Sequence, residues 1–348
     1  MSGTMEGPAP SPVLVEVWRG SVLESVHRGR LAVCTPAGAL VAGLGDTASQ
    51  MLPRSACKML QALALVESGA ADAAGLAEAD IALAAASHSG APLHVGRVTA
   101  WLGSLGLGEG DLRCGAQPPW HPDDVAAMAC AGAAPDQRHN NCSGKHCGFL
   151  TLNARLGGGP DYTAPDHPVQ RAVLATLAEM ADETPATLAI DGCSAPNPAI
   201  GLAAFATALA RFAAPAGLGR ARGEAARRLY AAIAAHPVLV AGQDRPNSAL
   251  IAAARGRAIL KSGAEGVYAA AIPGRTPAEG LGIAVKIEDG AERAARAAIA
   301  AALVALGALD PSDPVVAATT AQPQRNRRGI PTGEVRAADT IARALAPR

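Results

Sequence analysis

The sequence has no excess of either charge, no long apolar run and few aromatic residues. Lys and Arg total 30 and Asp and Glu total 30, which disfavours the basic surface that nucleic acid requires. The longest nearly apolar stretch, residues 297–309, has about 13 residues, fewer than the roughly 18 of a membrane-spanning helix. The first twelve residues lack a basic start and an apolar core, so we expect no secretory signal and a cytoplasmic protein.

Lysine is scarce, and this scarcity makes each lysine informative. The 30 basic residues include only four lysines, Lys58, Lys145, Lys261 and Lys286, and the others are arginines. Arginine cannot lose its proton in a protein, whereas lysine can. The remaining lysines are therefore candidates for general-base or metal-ligand chemistry.

Composition predicts a folded protein with free thiols. Hydrophobic residues make up 49% and charged residues 17%, which is typical of a globular chain. An odd number of cysteines, seven, favours thiols or metal ligands over a disulfide framework. We expect one catalytic domain over residues 12–336, between a flexible N-terminus (1–11) and a C-terminal tail (337–348).

Secondary-structure signals predict strands at both ends and helices between them. Short Val- and Leu-rich segments from Val13, each bounded by Gly or Pro, indicate three or four antiparallel strands. Helical spacing follows in windows 55–68, 80–86, 93–105 and 170–181, and an apolar helical window begins near Phe149. Strands return at 266–273 and 280–289, followed by a helix over 291–306. This order predicts an α/β protein of the α+β type, with one antiparallel sheet built from both ends of the chain and covered by helices.

The segment PRSACK places Ser55 and Lys58 on one face at the start of a helix. A neutral lysine beside a serine can take the hydroxyl proton while the oxygen attacks an acyl carbon. This chemistry needs a buried pocket or a neighbouring cation to keep the amine neutral. The alternative is a capping serine with a solvated lysine.

The segment ASHSG, residues 86–90, crowds Ser87, His88 and Ser89 onto a turn between two helical windows. Such a turn can direct polar groups into a cleft. The alternative is that Ser87 or Ser89 caps the helix that begins near Pro92.

The densest polar cluster is HNNCSGKHC, residues 139–147. Cys142, His146 and Cys147 are candidate zinc ligands together with a further thiol such as Cys193, although the spacing is not that of a zinc finger. The phosphate-loop pattern is absent because His146 follows Lys145 where Ser or Thr is required. The segments DGC at 191–193 and KSGAEG at 261–266 each resemble ordinary turns, and Lys286 resembles an ordinary strand residue.

Together, six motifs in this order and spacing resemble the Rhizobium etli type inducible L-asparaginases, the asparaginase II group. The motifs are RSACK (54–58), ASHSG (86–90), HNNCSGKH (139–146), DGC (191–193), KSGAEGV (261–267) and GIAVKIEDG (282–290). The resemblance extends from about Val13 to Glu334. It implies a fold similar to serine β-lactamases, penicillin-binding proteins and glutaminases, and it implies a homodimer.

The resemblance also implies roles for individual residues. Ser55 would be the nucleophile with Lys58 as its base, and Ser87 and Lys261 would form a second Ser-Lys pair. One zinc ion per chain, used for substrate placement, would be held by Cys142, Lys145 and Cys193. Arg54, Asn141 and Asp191 would orient ligands or the charged ends of the substrate.

This sequence departs from the family pattern at several positions. Lys58-Met59-Leu60 and Ala91-Pro92-Leu93-His94 replace more usual segments, and Cys147 stands where a small residue is usual. We predict an L-asparaginase that converts L-asparagine to L-aspartate and ammonia. The alternatives are another serine amidohydrolase or β-lactam-type acyl hydrolase, or a non-enzymatic zinc-binding protein.

Overall fold

A curled antiparallel sheet forms the centre of the protein, whose computed structural model describes residues 11–276 and 278–346. The strands are β1 (Val13–Arg19), β2 (Val22–Cys34), β3 (Leu40–Leu44), β4 (Gln50–Met51), β5 (Leu188–Ile190), β6 (Pro196–Pro198), β7 (Ile200–Gly201), β8 (Ile259–Gly263), β9 (Val267–Pro273), β10 (Gly280–Ile287), β11 (Ala321–Arg325) and β12 (Pro331–Ala337). The large sheet has the order β11-β12-β1-β2-β10-β9-β8, with β3 paired to β2, and β4-β7 and β5-β6 form two small sheets. The predicted flexible N-terminus lies outside the described residues except for Ser11.

Helices fill the middle of the chain and return at its end. They are α1 (Lys58–Gln61), α2 (Leu63–Glu67), α3 (Ala70–Ala73), α4 (Glu78–Ala84), α5 (Pro92–Ser104), α6 (Pro122–Cys130), α7 (Ser143–Leu156), α8 (Pro168–Ala181), α9 (Leu202–Ala213), α10 (Arg220–Ala235), α11 (Pro237–Ala241), α12 (Pro246–Ala254), α13 (Glu292–Ala305), α14 (Pro314–Thr320) and α15 (Asp339–Leu345). Within the described ranges, no helix has both the length and the apolar character needed to cross a membrane.

The first and last strands of the chain are neighbours in the large sheet. β1 lies between β2 and β12, and Val17 is opposite Ser25 on one side and Val335 on the other. Val17 and Val335 are both buried, so this seam belongs to the core. The prediction of an α+β fold with one sheet built from both ends of the chain is confirmed.

Strand β2 is one strand of 13 residues, although the sequence pattern suggested two strands separated near Gly29. Its first half pairs with β1 and its second half with β10. Gly29 lies inside the strand because β10 passes close to it: a Cβ at this position would lie 2.5 Å from the Lys286 carbonyl oxygen. The glycine therefore permits a close strand contact here and does not mark a turn.

Helices cover the sheet and bury its central strands. Residues 267–271 of β9 are all buried, which requires cover on both faces because successive side chains alternate. Helix α9 packs against β2, β9 and β10, and α13 packs against β1, β9, β10 and β12. Gly282 of β10 allows the approach of α9, since a Cβ there would collide with the Ala206 carbonyl.

The helical windows occur where they were predicted, with two differences. The window 55–68 is divided into a 3₁₀ turn over Arg54–Cys57 followed by α1 and α2. Helix α7 begins at Ser143 and not near Phe149, because its first turns carry buried polar residues that hide the apolar pattern of a helix. In the region predicted as a C-terminal tail, α15 buries Ile341; the proposed domain limits remain a prediction.

Candidate active site

Ser87 lies between two buried lysines. Its Oγ is 2.9 Å from Lys58 Nζ and 2.7 Å from Lys261 Nζ. Lys58 has no exposed surface and Lys261 is 1% exposed, so both amines are removed from solvent. The turn that carries Ser87 is fixed by a backbone hydrogen bond of 2.9 Å from Ser87 N to the Val240 carbonyl.

Lys58 is held at the start of α1, directly after the 3₁₀ turn. Its Nζ donates to the Ala86 carbonyl at 2.7 Å and lies 3.0 Å from Cys142 Sγ. A solvated lysine, the alternative raised by the sequence, is therefore not what the structure has. Nor does Ser87 cap the next helix, because the N-cap of α5 is Ala91 and it has no side-chain cap.

Lys261 reaches the site from the strand β8, where Ile259 and Leu260 are also buried. Its Nζ donates to the Ser262 carbonyl at 3.0 Å. Burial, and then the positive charge of Lys58, lower the pKa of Lys261 well below its ordinary value. The neutral form of this amine is thus favoured.

Ser55 is half-buried in the 3₁₀ turn, three residues before Lys58. Within the described part of the chain, its hydroxyl makes no hydrogen bond. The Lys58 amine instead contacts Ala86, Ser87 and Cys142. The pairing of Ser55 with Lys58 accordingly stays a prediction.

Arg54 joins this turn to the segment that follows β5. Its Nε donates to Asp191 Oδ1 at 2.7 Å, and its backbone N–H donates to Asn197 Oδ1 at 3.3 Å. Arg54 has a φ of 50°, a left-handed conformation that costs a non-glycine residue energy. Burial opposes the ionised form of Asp191, but the Arg54 hydrogen bond and the charge of Lys145 lower the pKa of this carboxyl. The ion pair thereby fixes the position of the turn before Ser55.

Two thiols and a third lysine lie beside these groups. Lys145, on α7, places Nζ 3.0 Å from Cys193 Sγ, and the Cys142 sulfur lies 2.8 Å from Asn141 Oδ1. The Cys193 sulfur is 3.7 Å from Asp191 Oδ2. The predicted metal ligands Cys142, Lys145 and Cys193 are all buried.

Cys142, Cys193 and Lys145 shift one another's pKa values. A hydrogen bond from Cys193 opposes burial and, with the charges of Lys58 and Lys145, lowers the pKa of Cys142. The same hydrogen bond, with burial, raises the pKa of Cys193. Burial would lower the pKa of Lys145, but the negative sulfurs of Cys193 and Cys142 outweigh it and raise that pKa. This favours a thiolate at Cys142 and an ammonium at Lys145.

Two other cysteines near the motifs are inert by burial. Cys57 donates to the Arg54 carbonyl at 3.0 Å, and burial raises the pKa of its thiol to about 12. Cys147 has no exposed surface, and burial likewise raises the pKa of its thiol. Both are therefore neutral thiols.

Hydrogen bonds from residues without a predicted role support the site. His88 Nε2 lies 2.8 Å from Ser143 Oγ, which donates to the Arg138 carbonyl at 2.8 Å. The side chain of Asn140 donates to the Cys114 carbonyl and accepts from Cys142 N, both at 2.9 Å. Sequence reasoning singled out His88 but could not supply its partner.

A small cavity of about 70 Å³ opens beside Ser87. Its lining combines the predicted turn with later segments of the chain: Ser87, His88, Ser89, Trp120, Asn141, Ala241, Arg245, Pro246, Asn247, Ser262, Tyr268 and Glu292. The sequence analysis missed Trp120, Arg245, Asn247 and Tyr268. The sequence near these residues held one structural signal, Pro246 at the first position of α12, and this signal predicts the start of a helix and not a function.

A larger groove, of about 1330 Å³, lies elsewhere and includes Glu67, Glu179, Arg211 and Arg222 in its lining. Arg222 forms ion pairs with Glu67 and Glu179, so the charges of this groove are largely satisfied within it. The groove contains none of the predicted site residues. The smaller cavity beside Ser87 is therefore the candidate active site.

The candidate active site is thus a hydroxyl held between two buried amines, beside two thiols and next to a cavity. The sequence model of the L-asparaginase II family matches residues 15–337, nearly the whole chain. The chain therefore belongs to the L-asparaginase II family and is an L-asparaginase. A comparison with curated proteins found no match.

Proposed function

We propose that this enzyme hydrolyses the side-chain amide of L-asparagine by serine–lysine chemistry of the Rhizobium etli type. One observation carries the proposal: Ser87 Oγ lies within 3 Å of both Lys58 Nζ and Lys261 Nζ, and both amines are buried. Membership of the L-asparaginase II family supports the activity in general. The small cavity beside Ser87 suits a small substrate.

In the proposed reaction, Ser55 attacks the amide carbon and Lys58 takes the hydroxyl proton. The new bond joins Ser55 Oγ to the acyl carbon, and the C–N bond breaks as the nitrogen receives a proton and leaves as ammonia. Water then attacks the ester, releasing L-aspartate and restoring the Ser55 hydroxyl. Because Ser87 contacts both amines, Lys58 can first pass a proton through the Ser87 hydroxyl to the neutral Lys261, which leaves Lys58 able to accept the proton of Ser55.

Three further residues would orient the reacting groups. Asp191 is paired with Arg54 and lies near Cys193, so it connects the nucleophile turn to the thiols. Asn141 contacts Cys142 and lines the cavity. Their proposed task is positioning, as the family resemblance implies.

The cysteine and lysine group fits a zinc ion. Cys142 and Cys193 would supply two sulfurs and Lys145 one nitrogen, donors that suit zinc once Lys145 and Cys193 have lost their protons, because a metal binds the neutral amine and the thiolate. Among the residues that the structure describes, His146 Nε2 is buried near Cys193 without a hydrogen-bond partner, so one buried polar atom in this region is unsatisfied. No three His, Cys, Asp or Glu side chains in the described ranges form a metal cluster, and the proposed set relies on a lysine instead. A bound zinc would supply positive charge for placing the substrate.

Ammonia release tests the proposal most directly. The wild-type chain should release ammonia from L-asparagine, and the Ser55→Ala variant should not. Ser68→Ala is a matched control because, among the described residues, the Ser68 hydroxyl donates only to the Leu65 carbonyl in α2 and accepts only from Ala70 N at the start of α3. Full activity in Ser55→Ala would reject the nucleophile assignment.

A substrate panel separates the remaining alternative within hydrolases. L-asparagine, L-glutamine and a chromogenic β-lactam should be compared with and without a chelator. Faster turnover of the β-lactam than of L-asparagine would contradict the proposed substrate. The homodimer and the cytoplasmic location stay predictions.

A further inference from the structure

Arg245 carries a free positive charge at the wall of the catalytic cavity. Its guanidinium lies 3.9 Å from the centre of the Trp120 ring. Within the described residues, this guanidinium has no hydrogen bond and no ion pair within 4.0 Å. Arg245 is half-buried, and burial lowers the pKa of its guanidinium although the charge of Glu292 acts in the opposite direction. A cation in this state favours an anionic ligand.

Asn247 offers an unused donor at the same wall. Asn247 is 5% exposed, and its Oδ1 accepts a hydrogen bond of 2.9 Å from the Tyr268 hydroxyl. Its Nδ2 is buried without a partner in the described part of the chain. A buried donor without a hydrogen bond costs free energy, so a ligand that accepts a hydrogen bond from Asn247 Nδ2 gains affinity.

Both residues stand at the beginning of helix α12. Arg245 is the N-cap, Pro246 is the first helical residue, and no side chain caps the helix. The N-terminus of a nine-residue helix favours negative charge. The Arg245 guanidinium, the Asn247 amide and the N-terminus of α12 therefore all favour the same kind of ligand group, a carboxylate.

The cavity also carries the opposite charge. Glu292 lies in its lining, as does Ser87. A cavity with one cation and one carboxylate beside the Ser87 hydroxyl complements a small zwitterion. An α-amino acid with an amide side chain has this pattern of charges.

Arg54, which the family resemblance implies could orient a charged end of the substrate, is less suited to binding the α-carboxylate. Its guanidinium already pairs with Asp191 at 2.7 Å, so its charge is largely used within the protein. Arg245 forms no such ion pair with any residue that the structure describes.

We infer that Arg245 and Asn247 bind the α-carboxylate of the substrate at the N-terminus of α12. The inference rests on the proposed function, because it assigns the substrate's charged end within that same cavity. These two residues select α-amino acids over amides that lack the carboxylate.

The test compares L-asparagine with 3-aminopropanamide, which is asparagine without its α-carboxylate. The wild-type chain should prefer asparagine in kcat/KM. In Arg245→Gln this preference should fall by about 10–100-fold, mainly through a higher KM, which is the range expected for a lost charged hydrogen bond. Asn247→Asp keeps the acceptor for Tyr268 and adds a repelling charge, so it should lower the preference at least as much. Arg257→Gln, at an exposed arginine outside the cavity, is the matched control.

Binding measurements separate this inference from the proposed function. Calorimetric titration of L-aspartate should give a Kd that rises about tenfold or more in Arg245→Gln and not in Arg257→Gln. If the wild type released no ammonia but kept Arg245-dependent binding, the proposed function would fail and the carboxylate site would stand. If ammonia is released but neither Arg245→Gln nor Asn247→Asp changes the preference between the two amides, the carboxylate site is wrong.

Discussion

Lys58 and Lys261 share one hydrogen-bond partner, the Ser87 hydroxyl, at 2.9 and 2.7 Å. Two amines this close to one oxygen cannot both carry a charge without repulsion, and both are out of water. The arrangement favours one ammonium that donates to Ser87 and one neutral amine that can accept its proton. Several consequences for activity can be measured.

Replacing Lys58 by arginine should nearly abolish activity although the charge is kept. Arginine cannot release a proton to act as a base, so we expect kcat to fall by about 10²–10⁴-fold. Ammonia release from L-asparagine is the measurement. Lys286→Arg is the control, because within the described ranges Lys286 Nζ donates hydrogen bonds only to the backbone carbonyls of Glu265 and Ile287. Activity near that of the wild type in Lys58→Arg would rule out the neutral-amine argument.

Activity should decline on the acid side of its pH profile as Lys261 becomes protonated. Burial and then the charge of Lys58 lower the pKa of Lys261, so the folded protein keeps this amine neutral where the unfolded chain protonates it. The unfolded state therefore binds more protons between the two pKa values, and the free energy of unfolding rises with pH in that window.

Comparing wild type with Lys261→Met tests this stability difference. The stability of the wild type relative to the variant should rise with pH by at most about 1.4 kcal/mol per pH unit, the slope for one proton. Thermal unfolding from pH 6 to 9 provides the measurement. A difference that falls with rising pH would show that Lys261 is charged in the folded protein.

The two serines should differ in the intermediate that they support. Ser55→Ala should lose activity by about 10³-fold or more because the nucleophile is removed, whereas Ser87→Ala should slow proton transfer by about 10²–10⁴-fold. Mass spectrometry after rapid acid quenching should locate an aspartyl ester on the peptide containing Ser55. An ester on the Ser87 peptide would reverse the assignment.

Metal content should depend on two cysteines and not on a third. We expect about one zinc per chain in the wild type and a strong reduction in Cys142→Ser and Cys193→Ser, because each removes a thiolate ligand. Cys130→Ser is the matched control, since Cys130 is an exposed cysteine that is not among the predicted ligands. Elemental analysis of purified protein would decide, and unchanged zinc in both site variants would reject the metal site.

The sequence was sufficient to predict the sheet, but not that β2 continues as one strand through Gly29. Apolar strands at both ends of the chain predicted a common sheet, since such strands need one to bury them, and β2 and β10 are neighbours in it. The strand β12 and its place beside β1 were not predicted. Gly29 was interpreted as a strand boundary because a glycine has no side chain by which its strand environment can be recognised. Only the approach of β10 explains it.

The sequence predicted the residues of the candidate site that belong to a rare type, the lysines. It did not predict the residues of common types that line the rest of the site. Lys58, Lys145 and Lys261 stood out because lysine is rare, and the structure places all three in one buried region. Trp120, Arg245 and Asn247 gave no such signal, because their contribution depends on how α12 and a distant loop face the Ser87 turn. The start of α7 was missed because its polar residues are buried against the site and not exposed.

The order in which the site's parts occur along the chain affects how the enzyme is made. Ser87 and Lys261 meet at 2.7 Å but are separated by 174 positions. During synthesis, a growing chain cannot close this contact until the ribosome has released β8. With the proposed roles of Ser87 and Lys261, chemistry can begin only after the late strand β8 has joined the sheet.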